Sequence, residues 1–363
     1  MRTAWALGAI TMLGAGCKAT VDDDRTGPAA TPEANAESAA SSEAAVAGAA
    51  PTPISGEPRI EVRPFRPMID GKWVGNGISY GPYREGETPG GEKLPPKAHI
   101  LEDLEILAHR WHLIRTYGWG ETAEDILEVI RDHELPILVM QGAWISKHQT
   151  KEQNDEQVEG VIDLANRFRD IVVAVNIGNE IFVDWSAHRV EDLEPVIQYI
   201  RRTRAAIEQP VTVNDDYNFW NKPHSKAIAD EVDFIGLHAY AFWNDKTIDE
   251  AAAWTDKTYR DIQALHPEHA IAFCETGWPT SRITGGDSYE GGLIGEANEA
   301  NQRRFFEWYD AWVEENQVDS LYFEAFDEPW KGGWDGKNPA AKAEKHWGLY
   351  DVDRKPKAVL QKQ

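Results

Sequence analysis

The chain reads as a (β/α)8 barrel that follows a short leader and a tether. Three observations predict this. Past residue 58, eight short apolar runs alternate with longer segments of helical spacing, the pattern of a parallel sheet with right-handed crossovers. Residues 59–363 carry them, which is the size at which eight strand–helix units close on themselves. Polar and aromatic residues gather immediately after the apolar runs, where a barrel of parallel strands collects its chemistry. An open doubly wound sheet is the alternative, but neither of the glycine-rich nucleotide loops occurs to support it.

Residues 1–16 read MRTAWALGAITMLGAG: one arginine, an apolar middle and small residues at the end. That pattern resembles a bacterial export signal, and its apolar run is too short for a transmembrane helix. Cys17 follows Leu13, Gly14, Ala15 and Gly16, which resembles a lipoprotein cleavage box with its leucine displaced by one place. Cys17 is therefore the expected lipidation site. The expected location is the bacterial cell envelope, periplasm or surface, with membrane contact through that lipid only. Residues 17–58 open on Asp22, Asp23 and Asp24 and continue in Ala, Ser, Pro and Glu, with no aromatic residue between Trp5 and Phe65. Such a segment cannot bury enough apolar surface to offset its ordering entropy, so a disordered tether is expected. The only other cysteine is Cys274, inside an apolar run, and lipidation of Cys17 leaves it no disulfide partner.

A net charge of -24 argues against nucleic acid or anionic lipid as the main partner. Fifteen tryptophans, several of them after strand-like runs, favour a neutral ligand with faces to stack, such as a sugar. The barrel is expected to be monomeric.

In chain order the predicted strands are 77–80, 113–117, 137–140, 171–177, 211–214, 234–240, 270–274 and 320–326. Between them, apolar residues share single helical faces. Leu101, Leu104, Leu107 and Ala108 form the first, then Ile126, Val129 and Ile130, then Val158, Val161, Ile162 and Ala165. Leu193, Ile197, Ile200 and Ala205 follow, then Ala252, Tyr259 and Ile262, then Phe305, Trp308 and Trp312. Residues 222–230 make the weakest helix.

The strand ends supply the candidate site. Two carboxylates, Glu180 after the fourth run and Glu275 after the seventh, end strands that face each other across a barrel mouth. Glycoside hydrolysis needs such a pair, one group to protonate the leaving oxygen and one to attack or assist at the sugar carbon. Arg115 lies inside the second run, where a charge requires a partner. His238 and Tyr240 share one face of the sixth. These three are candidates for holding Glu275 ionised, the alternative being ordinary strand-end polar groups. Asn179 is a candidate ligand for a sugar hydroxyl, or a simple strand end. Tyr83, Trp144, Trp220, Trp243, Trp278 and Trp330 are candidates for lining subsites, with Trp278 beside Glu275 as a stacking platform. Asp215 and Asp216 read equally as sugar ligands or as an Asx turn. His109 and His112, separated by Trp111, read as structural. No metal or cofactor is expected.

The motifs carry a more specific resemblance. YGPYREG after the first run, IRTYG in the second, VNIGNE in the fourth, ETGWPT in the seventh and FEAFDEPWK in the eighth resemble glycoside hydrolase family 17, as does the closing EKHWGLYDVDRKPK. The likeness runs in order from about residue 70. It implies a retaining β-glucan hydrolase on a (β/α)8 barrel, acting chiefly on β-1,3-glucan, with Glu180 as acid/base and Glu275 as nucleophile. It also implies that Glu328 and Lys331 support the site. Cys274 departs from the small residue usual before the nucleophile, and the fifth strand, VTVNDDYNFW, does not resemble the plant enzymes. Three readings follow: a hydrolase of laminarin-like polymers, a β-1,3-glucanosyl transferase on the same carboxylates, or a non-catalytic glucan-binding lipoprotein.

Overall fold

The computed structural model describes residues 60–286, 288–332 and 341–361. The leader, Cys17 and the tether lie outside the described residues. A small hairpin comes first, β1 (Met68–Ile69) and β2 (Lys72–Trp73). The barrel strands are then β3 (Asn76–Ser79), β4 (Leu113–Arg115), β5 (Leu138–Ala143), β6 (Val172–Asn179), β7 (Val211–Asp216), β8 (Ile235–His238), β9 (Ile271–Glu275) and β10 (Ser320–Tyr322). They pair in sequence order, all parallel, and β10 closes on β3 with Leu321 opposite Gly77. The expected barrel is the observed one.

Among the described residues six long helices cover it, α1 (Lys97–Ala108), α2 (Glu121–Asp132), α3 (Lys151–Arg167), α4 (Leu193–Ala206), α7 (Ile248–Leu265) and α8 (Glu299–Asn316), with two single turns, α5 (Tyr217–Trp220) and α6 (Lys226–Ala229), between α4 and α7. Capping boxes start α3 at Thr150 with Gln153 and α7 at Thr247 with Glu250. The weak helix expected over 222–230 is reduced to a 3-10 turn, Pro223–Ser225, followed by α6.

Strands buried on both faces explain the continuous apolar runs. In β9, Phe273 points outward and packs on Tyr259, Tyr309 and Trp312, with ring centroids 5.7–6.4 Å apart. Ala272 and Cys274 point inward, sharing a cluster with Leu113, Met140, Ala174 and Leu321. The floor of that interior is filled by Phe65, whose ring stacks on Phe234 at 4.6 Å. Arg63 fixes the strap that carries Phe65. Its guanidinium donates to the carbonyls of Arg204, Ile207 and Gln209, and its backbone N–H to Asp233.

Two irregularities in the ladder matter for the site. Between β8 and β9, Leu237 pairs with Phe273 but His238 pairs with Glu275, so Cys274 is an extra residue. Between β6 and β7, Asn176 pairs with Thr212 and Asn179 with Asn214, so β6 also carries one extra residue. A bulge re-aims the side chain beyond it. Strict alternation would turn Glu275 outward after inward Cys274. The bulge brings both to the interior.

Candidate active site

The site is assembled from the ends of four strands around Arg115. This guanidinium is fully buried at the end of β4, and every one of its five N–H groups has an acceptor. Nη1 donates to Glu275 Oε1 at 2.6 Å and to the Cys274 carbonyl at 3.2 Å, with His238 Nε2 at 3.3 Å. Nη2 donates to Asn179 Oδ1 at 2.5 Å. With the Asn214 amide turned so that its oxygen faces the guanidinium, that oxygen accepts from Nη2 at 3.0 Å and Nε at 2.8 Å. The Tyr117 ring lies over the same group, 4.5 Å from Cζ to centroid. The partner that the charge requires is thus present.

Glu275 is held on both oxygens. Tyr240 donates its hydroxyl to Oε2 at 2.7 Å, and His238 Nδ1 lies 3.4 Å from the same atom. Burial alone would push this carboxyl's pKa up. The positive ends of His238 and Arg115 and the Tyr240 hydrogen bond outweigh burial and hold it below the usual carboxylate range. His238 itself is neutral: burial, with Arg115 beside it, lowers its pKa to about 3. Its Nε2 faces a donor, so the proton sits on Nδ1. From there it points at Glu180 Oε1, 3.1 Å away, as well as at Glu275.

Glu180 follows β6 in the left-handed region, φ +50°, an unusual conformation for a residue with a side chain. Holding it there costs about 1–3 kcal/mol. Gly178, at φ +84°, makes the turn before it, and the Glu180 N–H donates to the Asn214 carbonyl at 2.8 Å. The result aims the carboxyl back over the mouth, where its side chain keeps 14% exposure. Burial, then the like charges of Glu275, Asp216 and Asp215, push its pKa well above the usual range. One carboxylate oxygen of Glu180, one of Glu275 and a His238 nitrogen all lie within 4.8 Å of one another. Two carboxylic groups this close, one driven toward its neutral form and one toward its ionised form, have the arrangement in which one can serve as an acid and the other as a nucleophile.

Glu328 and Lys331 stand beside this net with Glu324. Lys331 Nζ lies 2.5 Å from Glu324 Oε2 and 2.6 Å from Glu328 Oε2, all three buried. The ammonium sits 4.2 Å over the Phe323 ring, which packs on Tyr240 at 5.8 Å. Gly81 admits Glu328, since a Cβ there would lie 2.1 Å from its Oε1. Tyr83 and Trp330, both half-buried, meet edge to face at 5.9 Å, and Trp330 Nε1 donates to Glu328.

Two expected sugar platforms are not platforms. Trp278 is wholly buried, its Nε1 bonded to the Glu296 carbonyl and its ring against Phe242 and Phe305. The turn at Gly277 sends it outward to α8. Trp220 is wholly buried as well, donating to the Gly236 carbonyl. Trp144 and Trp243 keep partial exposure. Asp216 follows the turn reading, accepting from Asn218 N two residues on, whereas Asp215 makes no such turn and instead accepts from Phe182 N after β6 and from Asp216 N. His109 and His112 take no part in the site, and His112 Nδ1 bonds the Pro136 carbonyl.

Sequence reasoning missed Asn214 and Trp347. Alternation could have found the first, because Val211 and Val213 join the outer core and leave Thr212, Asn214 and Asp216 on the inner face. Trp347 backs Tyr240 at 5.0 Å from far along the chain, and only the closing segment's likeness to its family hints at it.

Comparison with known proteins gives a consistent result. Residues 77–348, about three quarters of the chain, match the BtgE/BtgC glycoside hydrolase domain. A protein of Arthroderma benhamiae named glucan 1,3-beta-glucosidase is 27% identical over 274 residues, covering 72% of this chain and 83% of that protein. A probable glucan endo-1,3-beta-glucosidase, btgC, of Aspergillus clavatus is 26% identical over 289 residues, 74% of this chain but 40% of that protein. The chain therefore spans less than half of the latter's length. Among solved structures, an endo-laminarinase from Formosa Hel1_33_131 superposes with a TM-score of 0.68 at 25% identity, covering 79% of this chain and 86% of that one. A glycoside hydrolase family 17 β-1,3-glucanosyltransferase from Rhizomucor miehei shares the fold, with a TM-score of 0.62 at 23% identity, covering 78% and 96%. With the barrel and its paired carboxylates in place, the chain belongs to the family of BtgE/BtgC glycoside hydrolase domains.

Proposed function

We propose that this glycosidase cleaves β-1,3-glucan with retention, Glu275 as nucleophile and Glu180 as acid/base. The observation that carries the proposal is the separation of the two carboxylates, within 4.8 Å oxygen to oxygen. Retaining enzymes hold their carboxyl groups about 5–5.5 Å apart, whereas inverting ones leave room for a water at about 6.5–9.5 Å. In the first step ionised Glu275 attacks the anomeric carbon while Glu180 gives its proton to the departing glycosidic oxygen. In the second, Glu180 takes a proton from water, the oxygen of that water attacks the same carbon, and Glu275 leaves. The proton of His238 Nδ1 lies between the carboxylates and stabilises whichever of them is charged. The names of the relatives, glucan 1,3-beta-glucosidase and glucan endo-1,3-beta-glucosidase, support the substrate class.

The test is incubation with β-1,3-, β-1,4-, β-1,6- and mixed-linkage glucans, with product sizing and proton NMR of the first anomer released. Cleavage of the β-1,3 polymer with an initial β-anomer is expected. Products longer than a defined oligosaccharide substrate would identify transfer to sugar. Absence of β-1,3 cleavage, or an initial α-anomer, overturns the reading.

We further propose export and lipid anchoring through Cys17, supported by the leader and the acidic, alanine-rich composition after it. Expressed with its own leader in a bacterial host, the protein is expected in the membrane fraction, and Cys17→Ser is expected to release it or leave it unprocessed. A mature N-terminus elsewhere, read by mass spectrometry, sinks this.

A further inference from the structure

We propose that Asn214 is the positioning residue that fixes both carboxylates at once, the proton donor through its backbone and the nucleophile through its side chain. The inference rests on the roles proposed for Glu180 and Glu275. Asn214 is fully buried in β7, level with Asn179 of β6 and Gly236 of β8. Its carbonyl accepts the Glu180 N–H at 2.8 Å, a tie that holds Glu180 at positive φ. Its amide oxygen accepts from Nη2 and Nε of Arg115, at 3.0 and 2.8 Å. That is the edge of the guanidinium opposite to the one that serves Glu275.

The residue type matters as much as the position. The amide presents a neutral acceptor to Arg115 and a donor on its other side, where a carboxylate of the same shape would supply only the acceptor. An Asp there would pair with the guanidinium through the same edge and compete for its charge. With Asn, the side-chain oxygens that share Arg115 are those of Glu275, Asn179 and Asn214 itself, and only Glu275 is an anion. The space is kept for this one side chain. A Cβ at Gly236 would lie 1.8 Å from the Asn214 amide and 2.8 Å from the Val213 carbonyl.

The test compares Asn214→Asp, Asn214→Ala and Gly236→Ala with the wild type in the full chain. Three readouts are used: thermal unfolding, the pH profile of kcat/KM on a β-1,3-oligosaccharide, and an NMR titration of carboxyl-labelled glutamate, with Glu275 assigned by Glu275→Gln. Asn214→Asp keeps the shape and the acceptor toward Arg115 and gives up the amide donor on the other side. It is expected to unfold within a few degrees of wild type, yet to move the acid limb and the Glu275 titration upward by about one pH unit. Asn214→Ala and Gly236→Ala are expected to lower kcat by tenfold or more, with KM within about threefold. A purely structural Asn214 predicts that Asp restores the wild-type profile, and an unmoved Glu275 titration overturns the proposal. The titration needs no turnover. If the wild type cleaves no β-1,3-glucan while the Glu275 titration moves in Asn214→Asp, the substrate reading fails and the positioning role stands.

Discussion

Glu275→Ala is expected to lose glucan hydrolysis by about 10⁴-fold or more, since no covalent intermediate can form without the carboxylate. Glu180→Ala is expected to fail differently, by about 10²–10⁴-fold on glucan, the usual contribution of a general acid. On an aryl glycoside whose leaving group needs no proton, its first step survives and the second becomes slow. Added azide should then speed turnover and yield a β-glycosyl azide, whereas azide in Glu275→Ala should give the α product. The pH profile follows from the same division. Wild-type activity falls in acid as Glu275, held below the usual carboxylate range, takes up a proton. It falls in alkali as Glu180, held above that range, loses one. Glu180→Ala should lack the alkaline limb on the activated substrate. Azide products of exchanged stereochemistry would reverse the roles, and undiminished cleavage by both variants would place the site elsewhere.

Arg115→Met is expected to cost about 3–5 kcal/mol of folding stability, the scale for removing one partner of a buried ion pair. The side chain is wholly buried. Without it, Glu275, the Cys274 carbonyl and the side-chain oxygens of Asn179 and Asn214 lose their common donor. The penalty depends on pH. The folded-state pKa of Glu275 is depressed, so the stability this pair contributes is present above the ordinary carboxylate pKa. It is lost as pH falls through the lowered value. Chemical denaturation should therefore show variant and wild type far apart at neutral pH and converging in acid. Arg115→Lys restores the charge but not the fork, and should recover stability better than rate. A Met variant within about 1 kcal/mol of wild type at neutral pH would show that Arg115 does not carry the site.

How much of this the residues announce depends on what surrounds them. The eight strands are legible because burial on both faces leaves runs such as Ala270 to Cys274 free of charge. Glu180 and Glu275 are legible because each interrupts such a run two positions from a glycine. Arg115 is legible because a charge inside an apolar strand demands a partner. The two-residue strands of the β1–β2 hairpin are too short to show any period. The bulge at Cys274 is silent, since an extra residue changes register without changing composition. Trp278 misleads because the direction of a side chain after a Thr276–Gly277 turn is set by what it meets, here Phe305 of α8. Asn214 is hidden for a further reason: one polar residue near the end of VTVN looks like the end of a strand, and its partner Arg115 is 99 positions away.

The strap at the floor of the barrel has a directional consequence. Phe65 plugs the end at which the strands begin, and Arg63 bolts the strap to that end through the carbonyls of Arg204, Ile207 and Gln209. The carboxylates stand at the end where the strands finish. The described chain thus enters the barrel at its closed pole, where the Glu61 carbonyl accepts from Arg204, and the open pole is on the far side. A load on the strap is borne by the Arg63 clamp and the Phe65–Phe234 stack, and the strand ends that aim Glu180 and Glu275 carry none of it directly. A ligand approaching the mouth meets it from the pole opposite the strap, so a change at Arg63 or Phe65 reaches the carboxylates only through the length of the strands.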